Sequence, residues 1–314
     1  LTTDGIPLEV SLKKAEKKVE MEYLSPMQAH AAMEPLCATA SVTPEGCEIW
    51  APTQSSDFAT MMAMGMTKLP PEKIKIQTTY LGGGFGRKIE YDFLLAPLVA
   101  SKALGKPVKI TWTREEDTKN DFFRPPFMIN MQFGLDSSGL PDGLKVKLVG
   151  PAVSRRWQMP PPWLEENGYD WVVTIGMFDG YNLPNQKPDL SKSYSIPNLK
   201  VDFVPSDIKV PTGAWRSIGT SHNIFALESG LDEVAVTGGN DPFELRGKLL
   251  SHNSRAIEVL DRAAELSGWG NPSEGRFLGM AYTDYLETYQ VQVAEISVSQ
   301  RGTVTVHKVT CVAD

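Results

Sequence analysis

"TTYLGGGFGRKIEYDF", residues 78–93, packs four glycines and one phenylalanine into the five positions Gly82 to Gly86, with Arg87 and Lys88 directly after. The preceding run "KIKIQTTY" (73–80) alternates like a half-buried strand. The following run "EYDFLLAPLVASKAL" (90–104) has helical spacing, with Gly105 as a stop and Pro107 beyond it. Pro97 lies inside that pattern and predicts a kink or an early break. Glycines in series permit positive φ and expose backbone N–H groups to an anion. A helix start just afterwards adds partial positive charge. The spacing excludes the common nucleotide loops. A G-x-G-x-x-G fingerprint begun at Gly82 needs glycine where Arg87 stands, and a Walker A loop needs Gly-Lys-Ser/Thr where the chain reads Arg87-Lys88-Ile89. A tight strand-to-helix corner with no ligand is the other reading of the glycines. Phe85 weighs against it, because an aromatic ring between glycines suits the wall of a small pocket for a flat group.

Outward from this loop the chain alternates strands and helices. "CEIWAP" (47–52) reads as a strand, and Ser55 or Ser56 caps the helix "DFATMMAMGMTKL" (57–69), whose methionines read as core filler. "PVKITWT" (107–113) is a further strand, and "FMINMQFGL", "DSSG" and "LKVKLVG" (127–150) form a hairpin. Residues 151–195, rich in Pro, Trp, Asn and Gly, read as a long surface excursion. "KVDFVPSDIKV" (200–210) returns to strand. Helices follow over 223–239, from the Asp241-Pro242 cap to about Leu250, and over 254–267, stopped by Gly268. Residues 269–277 read as a linker, and 291–312 as a hairpin turning at "QRG". The fold class is α+β, mixed sheets with packed helices. The lysine-rich residues 1–20 read as the tail of a preceding domain or a linker. The start at Leu1 and the strand pattern running to Asp314 predict a piece of a longer protein, cut at both ends. The compartment is not legible from such a start.

Composition narrows the function. A net charge of −7 argues against a dedicated nucleic-acid binder. No apolar run reaches the roughly 20 residues of a membrane span. Three cysteines and four histidines, scattered and without CxxC, leave no framework for a protein-ligated zinc or iron–sulfur site. His30 and Glu34, at i,i+4 spacing, invite a metal reading on a helix, but two ligands are too few. Glu90 and Asp92 read as candidate catalytic carboxylates.

Several stretches together resemble a family. "GGGFGRK" (82–88) is similar to the conserved loop of the molybdenum hydroxylases, the xanthine oxidase and aldehyde oxidoreductase family. "LSPMQAHAAMEP" (24–35), "IWAPTQ" (49–54), "TWTREEDTKNDFFRPP" (111–126), "VPTGAWRSIGTSHNIFALESGLDEVA" (210–235), "RFLGMA" (276–281) and "VAEISVSQRGTVTVHKV" (293–309) resemble its other motifs, in order. The pattern looks most like the isoquinoline 1-oxidoreductase large (beta) subunit type. The resemblance implies a first molybdopterin-binding domain over 21–268 and the incomplete start of a second over 269–314. It implies cofactor binding by Gln54, Gly83, Gly84, Phe85, Gly86 and Arg216, with Gln54 and Arg216 also in catalytic roles. It implies molybdenum held by a molybdopterin, of dinucleotide form, rather than by protein side chains, and iron–sulfur clusters on a small-subunit partner. The implied reaction hydroxylates an N-heterocycle or oxidises an aldehyde with water-derived oxygen. Two departures stand out. Ile89 sits where some relatives carry an acidic residue, and the G-E-P-G type motif with the general-base glutamate is missing, which implies that these residues alone are inactive. The alternatives are a non-catalytic binding or assembly module that keeps the fold, and an unrelated flavin or nucleotide enzyme.

Overall fold

The structure, a computed structural model, describes residues 6–153, 170–177, 194–285 and 288–314. In chain order its main elements are α1 (Leu8–Lys14), β1 (Lys17–Ser25), β2 (Cys37–Val42), β3 (Cys47–Ala51), α2 (Ser56–Thr67), β4 (Ile74–Thr78), α3 (Asp92–Leu104), β5 (Val108–Thr111), α4 (Arg114–Lys119), β6 (Phe127–Leu135), β7 (Pro141–Gly150), β8 (Asn198–Pro205), α5 (Thr220–Gly238), α6 (Pro242–Leu249), α7 (Ser254–Ser267), β9 (Phe277–Tyr285), β10 (Thr288–Val298) and β11 (Val304–Ala313). This is the α+β class predicted from the sequence. The chain divides into two compact units, one of residues 26–126 with 207–216, the other of the remainder.

The unit of residues 26–126 and 207–216 carries a four-stranded sheet in the order β4-β3-β2-β5. β2 pairs antiparallel with β3 and with β5, while β3 and β4 run parallel. A parallel pair needs a crossover, and α2 supplies it. Ser55 caps α2 by accepting the Phe58 N–H, as one of the two candidate caps. Alternation in β2 and β3 turns Ala38, Ala40, Val42, Cys47, Ile49 and Ala51 to one face, where Ala59 and Ala63 of α2 and Phe93, Leu94 and Leu98 of α3 close the core. The many alanines let helices and sheet approach closely, and a fully buried residue such as Ile49 contributes about 2 kcal/mol. Pro97 does not end α3, which runs on to Leu104 and its left-handed Gly105 cap. Pro97 is itself buried with Phe93, Leu94 and Leu98, and that burial offsets the one missing N–H bond.

The other unit holds the sheet β1-β6-β7-β8 and the sheet β11-β10-β9. The β6–β7 and β10–β11 hairpins form as predicted. Residues 8–25 form α1 and β1, with Leu8 and Leu12 buried and β1 paired along β6. In the stretch expected to be a surface excursion, the described part departs from that reading. Residues Trp171–Thr174 form a short helix, and Val172, Val173, Ile175 and Met177 are buried. These apolar side chains are too few to register against the Pro, Gly and Asn around them; the rest of that stretch lies outside the described residues. α5 carries Glu228 into the core. Its carboxylate accepts from Arg246 Nε at 2.9 Å, Tyr194 Oη at 2.8 Å and the Tyr282 N–H at 2.8 Å. Arg246, fully buried, also donates to Asp232 at 2.7 Å and to the Glu228 carbonyl at 3.0 Å. Burial opposes the guanidinium's charge, but the carboxylates of Glu228 and Asp232 and the Tyr194 hydroxyl outweigh it and hold Arg246 protonated. Removing one partner strands the other in a dry core. Arg246→Leu should cost about 3–5 kcal/mol, read as a lowered urea midpoint; an unchanged midpoint would show that Glu228 finds other compensation.

Candidate functional site

Parallel strands end at the same edge of a sheet, so the loops after β3 and β4 emerge side by side. The loop after β3 is Pro52-Thr53-Gln54, and the loop after β4 is the glycine run. The Gln54 N–H donates to the Lys88 carbonyl at 2.9 Å. Gln54 Oε1 accepts from the N–H groups of Gly86 at 3.0 Å and Lys88 at 3.2 Å. Two backbone donors on one atom identify it as the oxygen and fix the amide's orientation. Nε2 therefore turns away from the glycine loop, and it has no hydrogen-bond partner among the described residues. A Cβ on Gly84 would lie 2.3 Å from Gln54 Oε1, so only glycine leaves room for the amide.

A third segment, Gly213–Arg216, closes on the same loop. The Arg216 N–H donates to the Phe85 carbonyl at 2.8 Å. Gly86 has φ +107°, and a Cβ there would lie 1.8 Å from the Ala214 carbonyl oxygen. Phe85 is held at φ 55° and is 43% exposed. The structure thus brings Gln54, Gly83, Gly84, Phe85, Gly86 and Arg216 together, with Gln54, Phe85 and Arg216 exposed. The N–H groups of Gly83, Gly84 and Phe85 have no hydrogen-bond partner among the described residues, although Gly84 is buried. The expected helix start is displaced. A 3-10 turn over Arg87–Ile89 follows Gly86, Glu90 is extended, and α3 begins only at Asp92.

The two cations after the glycines are buried and paired. Arg87, 2% exposed, makes a bidentate bond to Asp92 at 2.8 and 2.7 Å and stacks 4.9 Å from the Phe122 ring centroid. Its Nε lies 2.9 Å from Asp121 Oδ1, an ion pair in which the N–H is not aimed at the oxygen. Lys88, with no exposed surface, reaches Glu34 Oε2 at 2.5 Å, and Glu34 also accepts the Gly82 N–H at 3.0 Å. Burial pushes the Glu34 carboxyl up, but the Lys88 and Gly82 hydrogen bonds overcome this and hold it below its usual range.

Two candidate readings are corrected here. His30 and Glu34 do not share a helix: residues 26–36 are irregular, and each side chain has other partners. His30 contacts Asp121 and the Ala214 carbonyl, Glu34 contacts Lys88, and no group of three or more ligating side chains occurs among the described residues. Asp92 is engaged by Arg87, and Glu90 is buried with Oε1 close to Gly213. Neither stands free as an acid–base carboxylate. Asp121 was missed. It is 3% exposed, accepts the His30 backbone N–H at 2.5 Å and forms an ion pair with Arg87. Burial pushes its carboxyl up, yet His30 and Arg87 bring it below the usual aspartate range. Its only sequence signal was its place in "TREEDTKNDFF", where three other carboxylates and two cations compete for attention.

Residues 4–152 match the model of the molybdopterin cofactor-binding domain. The chain is 26% identical over 317 residues to the isoquinoline 1-oxidoreductase subunit beta of Brevundimonas diminuta, covering 98% of this chain and 38% of that protein. It is 27% identical over 323 residues to the aldehyde oxidoreductase molybdenum-binding subunit PaoC of Escherichia coli K12, covering 93% and 40%. In fold it is similar to quinoline 2-oxidoreductase from Pseudomonas putida 86, with a TM-score of 0.69, 19% identity, and 98% and 42% of the two chains covered. The aldehyde oxidoreductase of Desulfovibrio gigas gives 0.69, 20% identity, and 98% and 35%. The chain spans about two fifths of the length of the curated relatives it matches.

The depressed Asp121 carboxyl carries a pH signature. A carboxyl lowered on folding stabilises the fold above its unfolded value, about pH 4, and that contribution disappears as pH falls through the folded value. Asp121→Asn should cost about 3 kcal/mol at neutral pH, with the gap to the parent narrowing below about pH 4. Denaturant melts over pH 3–7 measure it; a gap independent of pH would show that the carboxylate's charge is not what stabilises.

Proposed function

We propose that the chain, whose residues 4–152 match the molybdopterin cofactor-binding domain and which is similar to the subunits of molybdenum-dependent oxidoreductases, is part of a molybdenum hydroxylase, and that the Gln54, glycine-loop and Arg216 cluster is the berth of a molybdenum–pterin cofactor. The full-length protein is then a molybdenum-dependent oxidoreductase, and the chain comprises most of a first molybdopterin-binding domain (21–268) and the start of a second (269–314). The cluster fits such a group. Gly84 leaves a cradle that a Cβ would fill, and the N–H groups of Gly83, Gly84 and Phe85 offer donors to an anion. Bound there, the group supplies two-electron oxidation that introduces water-derived oxygen into an N-heterocycle or an aldehyde.

The chain's own residues then have distinct tasks. Gln54 donates from Nε2 without adding charge, in a direction set by the two bonds on Oε1. Arg216 supplies a cation on the segment latched to the Phe85 carbonyl and stabilises developing negative charge. Phe85 presents a flat apolar wall. The observation that carries the reading is the pinned Gln54 amide beside a glycine that admits no side chain. Relatives named as subunits support a partner chain, here an iron–sulfur small subunit, and the cofactor is taken to be of dinucleotide form. A non-catalytic assembly module would keep the same fold and hold no molybdenum.

Elemental analysis of the full-length protein, purified from cells that make the cofactor, decides between them. Molybdenum near one per chain supports the berth, and its absence favours the assembly module. Gly84→Val should lose most of the bound molybdenum, because the side chain displaces the Gln54 amide. Full retention would place the cofactor elsewhere. Arg216→Ala should lower turnover by about a hundredfold while molybdenum content changes little. Equal losses of both would assign Arg216 to cofactor retention instead of turnover.

A further inference from the structure

His30 is an uncommon buried histidine because both ring nitrogens face acceptors. Nδ1 lies 3.1 Å from each oxygen of the Asp121 carboxylate, and Nε2 lies 2.9 Å from the carbonyl oxygen of Ala214. A carbonyl cannot donate, so Nε2 must carry a hydrogen. The Asp121 carboxylate already accepts the His30 backbone N–H and sits against Arg87 Nε, so it is ionised and cannot donate to Nδ1 either. A bare Nδ1 there would point its lone pair at two negative oxygens. The imidazole also lies 4.8 Å from the Trp215 ring, tilted by 31°, an arrangement that favours a cation.

We infer that His30 is a buried imidazolium that acts as a positioning residue, latching the Ala214–Arg216 segment onto the glycine loop through the Ala214 carbonyl. The carbonyl it holds is the one that rests against Gly86, and two residues further on the Arg216 N–H reaches the Phe85 carbonyl. Asp121 anchors the latch by joining His30, on the segment before β2, to Arg87, directly after the glycines. Three segments distant in sequence are thereby tied at one point, and Arg216 takes its position relative to Phe85 from that tie. The role toward a cofactor rests on the proposed function; the latch and its protonation do not.

The test therefore uses the 314-residue chain without cofactor. With 15N-labelled histidine, long-range 1H–15N correlation at pH 7.5 reports whether each imidazole nitrogen carries hydrogen, and the set lost in His30→Gln identifies His30 among the four histidines. Hydrogen on both nitrogens is the expected result. One bare nitrogen overturns the imidazolium. Amide exchange then tests the latch. In His30→Gln the Arg216 N–H should exchange about tenfold faster, the loss of about 1.4 kcal/mol of local protection, while the amides of β2 and β3 keep the parent's rates. Unchanged Arg216 exchange removes the latch, and a uniform increase across the unit makes His30 a folding residue rather than a positioning one. Should His30→Gln not fold, substituting His222, His252 and His307 one at a time assigns the remaining set of ring signals to His30, and those signals decide the protonation. An intact latch in a protein that never binds molybdenum would leave this inference standing and remove the proposed function.

Discussion

The parallel pairing of β3 with β4 is the constraint on which the site depends. Antiparallel neighbours would send the two following loops to opposite edges of the sheet. Parallel neighbours deliver Gln54 and the glycine run to the same edge, a few ångströms apart. The pairing has a price in connection length, because α2 must carry the chain back, and the small residues of its buried face let it lie close over the sheet. Once the two loops are adjacent, the amide of Gln54 replaces water on the N–H groups of Gly86 and Lys88. The glycine loop then owes its shape to a side chain from another loop as much as to its own sequence.

Charge is distributed in an unobvious way. A run of glycines followed by Arg-Lys looks like an anion site with two cations at its mouth. The fold instead spends Arg87 and Lys88 inside, on Asp92, Asp121 and Glu34. Full desolvation of a lone cation costs several kcal/mol, so each needs a carboxylate beside it, and each has one. Arg87 and Lys88 act as rivets that fix the end of the glycine loop. The charge at the open side comes from Arg216, more than a hundred residues later in the chain.

Much of this was legible in the sequence. The strands at β3, β4 and β5, both hairpins, the Ser55 and Asp241 caps, and the glycine stops at Gly105, Gly239 and Gly268 follow from local rules, because short-range backbone sterics and hydrogen bonds decide them. The six residues gathered at the site were also named beforehand, through motif resemblance rather than from periodicity. What escaped was non-local. Pro97 looked like a breaker because its burial in the core could not be seen. His30 and Glu34 looked like a helical pair because nothing local shows that each is claimed by a residue some 50 to 90 positions away. Asp121 was invisible for the same reason. α1 and β9 have too little alternation to declare themselves, and α1 is ordered by packing of Leu8 and Leu12 against the sheet.

Phe85 ties these strands of reasoning together. Its backbone sits at φ 55°, a conformation that costs a non-glycine residue about 1 kcal/mol or more, and its ring is 43% exposed to water. Glycine would give the same turn and the same carbonyl for Arg216 without strain and without an exposed apolar ring. Neither folding nor solubility accounts for phenylalanine here. Glycines on both sides keep the space around the ring clear of side chains, and a Cβ at Gly83 would already lie 2.8 Å from it. A ring held at a cost, with room preserved beside it and unpaired N–H groups at its base, would be stabilised by the flat, negatively charged group of the proposed berth.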